Sequence, residues 1–450
     1  MSFCLFMGER ETSKTLLHLL FFSLFSFLSL PSRHKRPPME PPTTRAREPV
    51  DRVASLPEIW AIVAMHLGLV GAWRLMLVCK GARLGAKYFL RTLPGLVVCG
   101  GYANEGPEGL PRPVNDVWRL DMATLRWEAM PALLSARDAP VCCVVRGALV
   151  VLGGDTSLEH KSGAASCSTV EILSEGKGAF VKLPPLSCGK VESAATVAVE
   201  ESDSAAGQVL LLGGPGEYDR SGSTVHLVDL ATGVCTPQPN LLEARSFFAA
   251  AMLPDGRVVC AGGDGNGEGD GDCEGFNLSS VETWERPGQG VLNATGTGRS
   301  LPAMSDIRSG CKACVLSDGR FAVLGGRNDT GWCLSDCEAL TIFDIARPSS
   351  WSSVTIDAHS PSSLSPQSTK STVSMFVPAV ALAGDWQPMS SMHVRRERFA
   401  CAAIAKCVIV AGGVRHNSAE VYDEGLDRWL WLPCALPVNE MLYGMGCTLL

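Results

Sequence analysis

Four arginines recur in one local setting. Arg137 and Arg245 each follow an alanine, Arg308 follows an isoleucine, and Arg396 follows another arginine. Each precedes a run of mostly small or apolar residues. A guanidinium is planar, always charged, and holds a carboxylate through two parallel hydrogen bonds. Two chemistries suit that residue in that place. It can meet an acidic partner, or it can tie down its own turn by binding backbone carbonyls. Repetition favours the second, because a structural task recurs with every repeat and a binding task need not.

Other reactive groupings point away from catalysis. Asp264, Asn266, Glu268, Asp270 and Asp272 alternate with glycines, and hard cations take such oxygens. The twelfth position counted from Asp264 is Gly275, where a calcium-binding EF-hand needs an acid, and the stretch occurs once only. It reads as a solvated acidic loop. The eight histidines include no His-x-x-x-His pair, so no zinc site is expected. There is no Gly-x-Ser-x-Gly elbow and no Gly-x-x-x-x-Gly-Lys-Ser loop. No catalytic residue, metal or cofactor is therefore assigned.

The 18 cysteines show no regular spacing. Cys99, Cys142, Cys143, Cys260, Cys314, Cys401 and Cys407 sit inside apolar runs, where cysteine packs as a small hydrophobe. They read as reduced core thiols of a cytoplasmic or nuclear protein. The 450 residues are 46% apolar and 19% charged, enough for a large core. With 46 glycines and 28 prolines the chain suits a turn-rich β protein. A net charge of −7 and no long basic block argue against a nucleic-acid partner.

The elements that must position these residues announce themselves six times. Leu96–Cys99, Leu149–Leu152, Val209–Leu212, Val258–Ala261, Phe321–Leu324 and Val408–Ala411 are apolar runs, each followed by two glycines. Four consecutive apolar residues predict a strand buried on both faces, too short for a helix. Glycine then lets the chain leave through angles that a side chain forbids. Past the glycines comes a second strand, as in Asp116–Asp121, Thr169–Leu173, Thr224–Asp229, Ser280–Trp284, Ala339–Asp344 and Ala419–Asp423. Trp127, Trp386 and Trp429 follow, each shortly before a proline, and then the arginine. A repeat of this period predicts an array of like units.

The order strand, Gly-Gly, Val-Glu-x-Tyr, Trp…Pro, Arg resembles the kelch repeat. Gly412-Gly413, Glu420-Val421-Tyr422 and Trp429 form the best copy, and the likeness runs from Leu96 to the end of the sequence. The resemblance implies an all-β, six-bladed propeller over residues 95–450. Tyr443–Leu450 looks like the innermost strand that the first copy lacks, so the tail is expected to close the ring. Family likeness also places the arginine turns near the central channel. Arg398, two places past Arg396, has the offset of pocket-lining arginines in some relatives. Arg137, Arg245, Arg308, Arg396 and Arg398 are thus candidates to contact a target protein. Trp127 and Trp429 are expected in the core between blades. Some kelch-like propellers are copper oxidases with tyrosine and histidine ligands, but the five tyrosines here form no matching cluster.

Residues 51–93 differ from the repeats. Ser55 can cap a helix with Pro57 and Glu58 in its first turn. Ile59, Ile62, Val63 and Leu67 predict one apolar face, Gly68 and Gly71 a break, and Leu75, Val78 and Cys79 a second helix. The order Leu56-Pro57-Glu58, Trp73-Arg74-Leu75, Val78-Cys79-Lys80 resembles an F-box, the α-helical segment with which that family holds the adaptor of a cullin-type ubiquitin ligase. Leu56, Pro57, Ile59, Leu75, Val78 and Cys79 are the candidate adaptor contacts. Gly81-Ala82-Arg83 departs from the family, which has an aromatic there. The bland alternative is that these helices only pack on the repeats.

Residues 1–50 form a leader and a Pro- and charge-rich linker. Residues 15–30 are apolar, and the basic run Arg33–Arg36 follows. Two readings stand: a membrane anchor with the repeats in the cytosol, or a stretch that precedes the working start at Met39. Residues 357–374 predict a Ser/Pro-rich loop insertion. The reading is a non-catalytic substrate-recognition subunit of a ubiquitin ligase. Its partners are an adaptor and a target protein. The alternatives are a non-ligase kelch scaffold and a propeller enzyme acting on a sugar or metabolite.

Overall fold

The computed structural model describes residues 56–439 and 441–450, apart from 104–111, 157–166, 190, 200–203, 215–220, 267–275, 287–297, 347–351, 358–369 and 376–379. The described residues are mostly β, with many small antiparallel sheets and two helices among them, an arrangement consistent with a propeller.

Six of the sheets described have four strands. Sheet 2 shows the common plan: Val141–Val145, Ala148–Leu152, Val170–Leu173 and Val181–Leu183 pair in sequence order. Sheets 3, 4 and 6 repeat it, beginning at Ala195, Ala249 and Ala400. Sheet 5 begins at Lys312 and its two outer strands, Cys337–Ala346 and Val380–Met389, are ten residues long. Sheet 1 takes its first strand from the chain's end. Gly446–Leu449 runs antiparallel to Leu96–Cys99, with Leu96 opposite Leu449 and Cys99 opposite Gly446. Each apolar run lies second in its sheet and is buried throughout or nearly so, as continuous apolarity requires.

The first strands of successive sheets are neighbours: Ala195–Val199 beside Val141–Val145, and so on to Gly446–Leu449, which lies beside both the sheet 6 and the sheet 2 first strands. Core side chains fill the seams between sheets. Phe399, Val410 and Trp429 of sheet 6, for example, pack with Cys314, Leu324 and Met389 of sheet 5. The Trp429 indole N–H reaches back to the Ser390 carbonyl at 2.8 Å, and that of Trp386 to Pro302 at 2.9 Å. Trp127 is only half-buried, so the expectation that it belongs to the core is corrected.

The double glycines have a specific task. All six pairs sit at positive φ, between 54° and 72° at the first glycine and between 95° and 113° at the second. The second N–H donates to a carbonyl on the link into the next sheet: Gly101 to Arg137, Gly154 to Val191, Gly214 to Arg245, Gly263 to Arg308, Gly326 to Arg396 and Gly413 to Leu442, at 2.7–2.9 Å. A Cβ on the first glycine would sit 2.0–2.7 Å from that same carbonyl oxygen. Only glycine permits both the angle and the approach.

Part of the 357–374 segment is strand rather than loop: Ser352–Asp357 pairs with Lys370–Met375. Glu268, Asp270 and Asp272 of the acidic stretch and the apolar stretch 15–30 lie outside the described residues, as does Ser55.

Two helices precede the sheets. Helix α1 is Pro57–Leu75 and helix α2 is Lys80–Thr92. Leu56 occupies the N-cap of α1 without a side-chain cap. Gly68 breaks α1 at φ 75°, as its position predicted, but Gly71 lies inside the helix. The expected second helix over Leu75, Val78 and Cys79 is corrected: Leu75 ends α1, Val78 is in a turn and Cys79 only caps α2. The Cys79 sulfur caps α2 by accepting from the Ala82 N–H at 3.3 Å. The two helices touch where Gly85 has no side chain, since a Cβ there would meet Pro57 and Trp60. By length and apolarity α1 could cross a membrane. Here its kink is bound to sheet 6: Leu69 N–H donates to Ala405 at 2.9 Å, and Lys406 Nζ to the His66 carbonyl at 2.8 Å.

Candidate functional site

The four recurrent arginines are fully buried, at 0–1% exposure. Each enters its sheet and turns back on it. Arg396 donates to Glu420 through Nε at 3.2 Å and Nη2 at 2.9 Å, and through Nη1 to the Gly412 carbonyl at 2.6 Å. Arg245 meets Glu282 at 2.8 Å and the Gly262 carbonyl at 2.8 Å. Arg308 meets Glu338 and Gly325, both at 3.1 Å. Arg137 meets Glu171 and Gly153 in the same way, both at 2.5 Å. Burial and these inward bonds put the groups beyond a partner's reach, although Arg308 Nε is itself left unpaired. The assignment of Arg137, Arg245, Arg308 and Arg396 to target contact is therefore corrected: they lock glycine turn to third strand.

The glutamates accept more than the arginine. Glu171 takes the Leu134 N–H, Glu282 the Leu242 N–H, and Glu420 the His393 N–H and ring. A buried charge pair must be satisfied in this way to be tolerated. Sheets 1 and 3 lack both partners together. Leu442 and Val191 stand where the arginine would be, and Trp118 and His226 where the glutamate would be. Loss of one alone would strand a buried charge.

Arg398 has a different position. Two residues past each arginine site lie Ala139, Ser193, Phe247, Gly310, Arg398 and Gly444, all at positive φ between 47° and 66°. Their backbones bond in turn. Ser193 N–H donates to Ala139, Phe247 to Ser193, Gly310 to Phe247, Arg398 to Gly310, Gly444 to Arg398 and Ala139 to Gly444, at 2.7–3.3 Å. These six bonds return to their starting residue. Side chains from this hexagon line a cavity of about 60 Å³ with Lys312 and Met445.

Arg398 lies across Gly310 onto Phe247, its guanidinium carbon 3.9 Å from the ring centroid. A larger residue than glycine at 310 would crowd it, since a Cβ there would come within 3.2 Å of Arg398 Cγ. A cation–π contact holds the half-buried guanidinium over the ring at the cavity. Lys312 adds a second cation to the same cavity. Nearby, burial pushes the Asp138 carboxyl up to about 7, opposed by Arg398 and by the Ala139 N–H. Burial likewise raises the Tyr443 hydroxyl to about 12. A half-buried cation on an aromatic floor can bind a carboxylate or phosphate on a protein segment. Sequence reading found Arg398 but missed Phe247 and Lys312. The signal was the shared offset of two from each arginine site, which places all six residues on one hexagon.

The candidate adaptor residues divide. Leu56 and Val78 are exposed, at 46% and 54%. Pro57 and Ile59 are half-buried, Leu75 is buried, and Cys79 is exposed with its sulfur capping α2. Of the predicted apolar face Ile62 and Leu67 are exposed, while Trp60 and Ala64 beside it are buried. Met65, Leu77, Leu84 and Tyr88 are exposed as well. Among the described residues no cluster of His, Cys, Asp and Glu could hold a metal.

No protein-family model matches the chain. An F-box/kelch-repeat protein of Arabidopsis thaliana is 44% identical over 62 residues, 12% of this chain. The match spans 16% of that relative's length. A solved structure, that of YjhT, superposes with a TM-score of 0.45 at 16% identity, covering 55% of this chain and 79% of its own.

Proposed function

We propose that the six four-stranded sheets are blades of a closed six-bladed propeller. The chain is then a substrate-recognition subunit of a cullin-type ubiquitin ligase, without catalysis of its own. Helices α1 and α2 hold the ligase adaptor, and the hexagon mouth holds an acidic or phosphorylated segment of the target. The cyclic hydrogen bonds and the tail strand in sheet 1 support the ring. The partial match to an F-box/kelch-repeat protein supports the pairing of functions.

One observation carries the division of labour. The helices attach at Ala405–Lys406, the far end of the Ala400–Ile404 strand, whereas Arg398 precedes its near end. Five strand residues separate the two ends by roughly 17 Å. An adaptor and a target can therefore be held at once without competing. The exposed apolar side chains of α1 and α2 supply the adaptor face, and free thiols suit a cytoplasmic or nuclear setting.

Adaptor capture tests this. Wild type is expected to retain the adaptor, Leu56→Asp and Val78→Asp to lose it, and Arg398→Glu to keep it while releasing the target. Absent or equal binding in all four proteins would overturn the ligase reading. It would leave a kelch interaction scaffold whose helices only pack on the sheets, as the Leu69–Ala405 contact favours.

A further inference from the structure

Several cysteine pairs touch in this protein. Cys142 bonds to Cys99 and Cys401 to Cys314, on strands packed between sheets. The contact and burial raise the Cys142 and Cys401 thiols well above their usual range, which makes them unreactive. Cys188 and Cys235 are different. Both are only half-buried, and they lie at the outer rim. Cys235 opens the outermost strand of sheet 3, and Cys188 lies on the link that leaves sheet 2.

Two hydrogen bonds clamp this pair together. Ser187 N–H donates to the Gly233 carbonyl at 2.9 Å, and Cys235 N–H donates to Ser187 Oγ at 2.9 Å. The Cys235 thiol donates to the Gly233 carbonyl at 3.7 Å, and the Cys188 thiol and the Ser187 hydroxyl lie beside the same sulfur. The Cys188 thiol is the largest influence, and with the Ser187 hydroxyl it holds the Cys235 thiol below its ordinary range despite burial. A donor-rich, solvent-reached sulfur with a second sulfur in contact has the make-up of a reactive cysteine beside its resolving partner.

We propose that Cys188 and Cys235 form a reversible disulfide that ties the outer edge of sheet 3 to the link from sheet 2. With a peroxide as oxidant, the Cys235 thiolate attacks one peroxide oxygen and the O–O bond breaks. The leaving hydroxide takes up the released proton as water, and Cys235 becomes a sulfenic acid. The Cys188 sulfur then attacks the Cys235 sulfur, and hydroxide leaves with the Cys188 proton as a second water. Two thiols lose two electrons, and one hydrogen peroxide becomes two waters. A dithiol reverses the bond by exchange.

Hydrogen peroxide at limiting amounts, applied to the full-length chain, tests the proposal by peptide mapping without reductant. The expected product is one peptide linked through Cys188 and Cys235, two hydrogens lighter than the reduced pair and lost on adding dithiothreitol. Cys188→Ser should stop the reaction at a Cys235 sulfenic acid that dimedone traps. Cys235→Ser should leave Cys188 unoxidised. At neutral pH Cys235 should alkylate at least about tenfold faster than Cys434, whose thiol burial pushes up to about 11. If either serine variant misfolds, the wild-type time course decides. Oxidation reaching Cys167, Cys333 or Cys434 before this pair, or no linked peptide at full oxidation, overturns the proposal.

Discussion

At the scale of the residue, the four arginine–glutamate pairs are the most costly features of the chain. Arg396 and Glu420 are both 0% exposed. Removing only the arginine leaves a buried carboxylate, which typically costs 3–5 kcal/mol, about tenfold the median for an exposed pair. Arg396→Leu should therefore lower stability by about 3–5 kcal/mol in urea unfolding. Arg396→Leu with Glu420→His should recover part of that loss, because sheets 1 and 3 already do without the pair. A double variant no more stable than the single would show that the cost is packing rather than charge. Asp138 acts with the opposite sign. Its folded carboxyl titrates near 7 against 3.8 ordinarily, so between these values the folded chain binds more protons than the unfolded one. Stability should fall as pH rises through about 4 to 7. Asp138→Asn should flatten that slope, as the midpoint of urea unfolding against pH would show. The arginines were legible in the sequence because they repeat. Their partners were visible only as part of the Val-Glu-x-Tyr strand, since nothing in a linear sequence says which carboxylate a guanidinium meets across 24–37 residues.

At the scale of the element, the strands were read with little loss and the helices with more. A buried strand is written as an uninterrupted apolar run closed by two glycines, and both parts of that signature have one structural cause. A helix is written as a periodicity, and the apolar face that Ile59, Ile62, Val63 and Leu67 predict in α1 does not say which side meets the sheets, so nothing in the sequence told that Ile62 and Leu67 stay exposed. Helix α2 carries few large apolar residues, and its buried side is Ala82, Gly85, Ala86, Phe89 and Leu90. The kink itself has a function in the fold. At φ 75° it brings the α1 backbone against Ala405, where an added Cβ would lie 2.5 Å from the carbonyl oxygen. Gly68→Ala should detach or distort the helices while leaving the sheets folded. The expected reading is faster amide exchange at Leu69 and Val70 and in α2, with the sheet 2 strands unchanged. Equal exchange in both proteins would mean that the Leu69–Ala405 bond does not fix the helical unit.

At the scale of the whole molecule, one short segment is asked to do several things. Residues Leu442–Leu450 accept the Gly413 N–H, supply Gly444 to the hexagon and give sheet 1 its first strand. Leu450 also exchanges two hydrogen bonds with Gly95, at 2.8 and 3.0 Å. A linear array of repeats loses stability gradually from an end, because each unit contacts only its neighbours. The proposed closed ring would behave otherwise, since its end unit would touch the first. Deleting Leu442 onward opens the seam between sheets 6 and 1, breaks the hexagon at two bonds and bares the Leu96–Cys99 edge, which is fully apolar. The truncated chain should aggregate or melt at a much lower temperature in one cooperative step. The C-terminal nonapeptide added in trans should raise that temperature if strand pairing is the missing contribution. A truncation that melts like the full chain would show that the tail only rests on sheet 1, and the six sheets would then be an open stack.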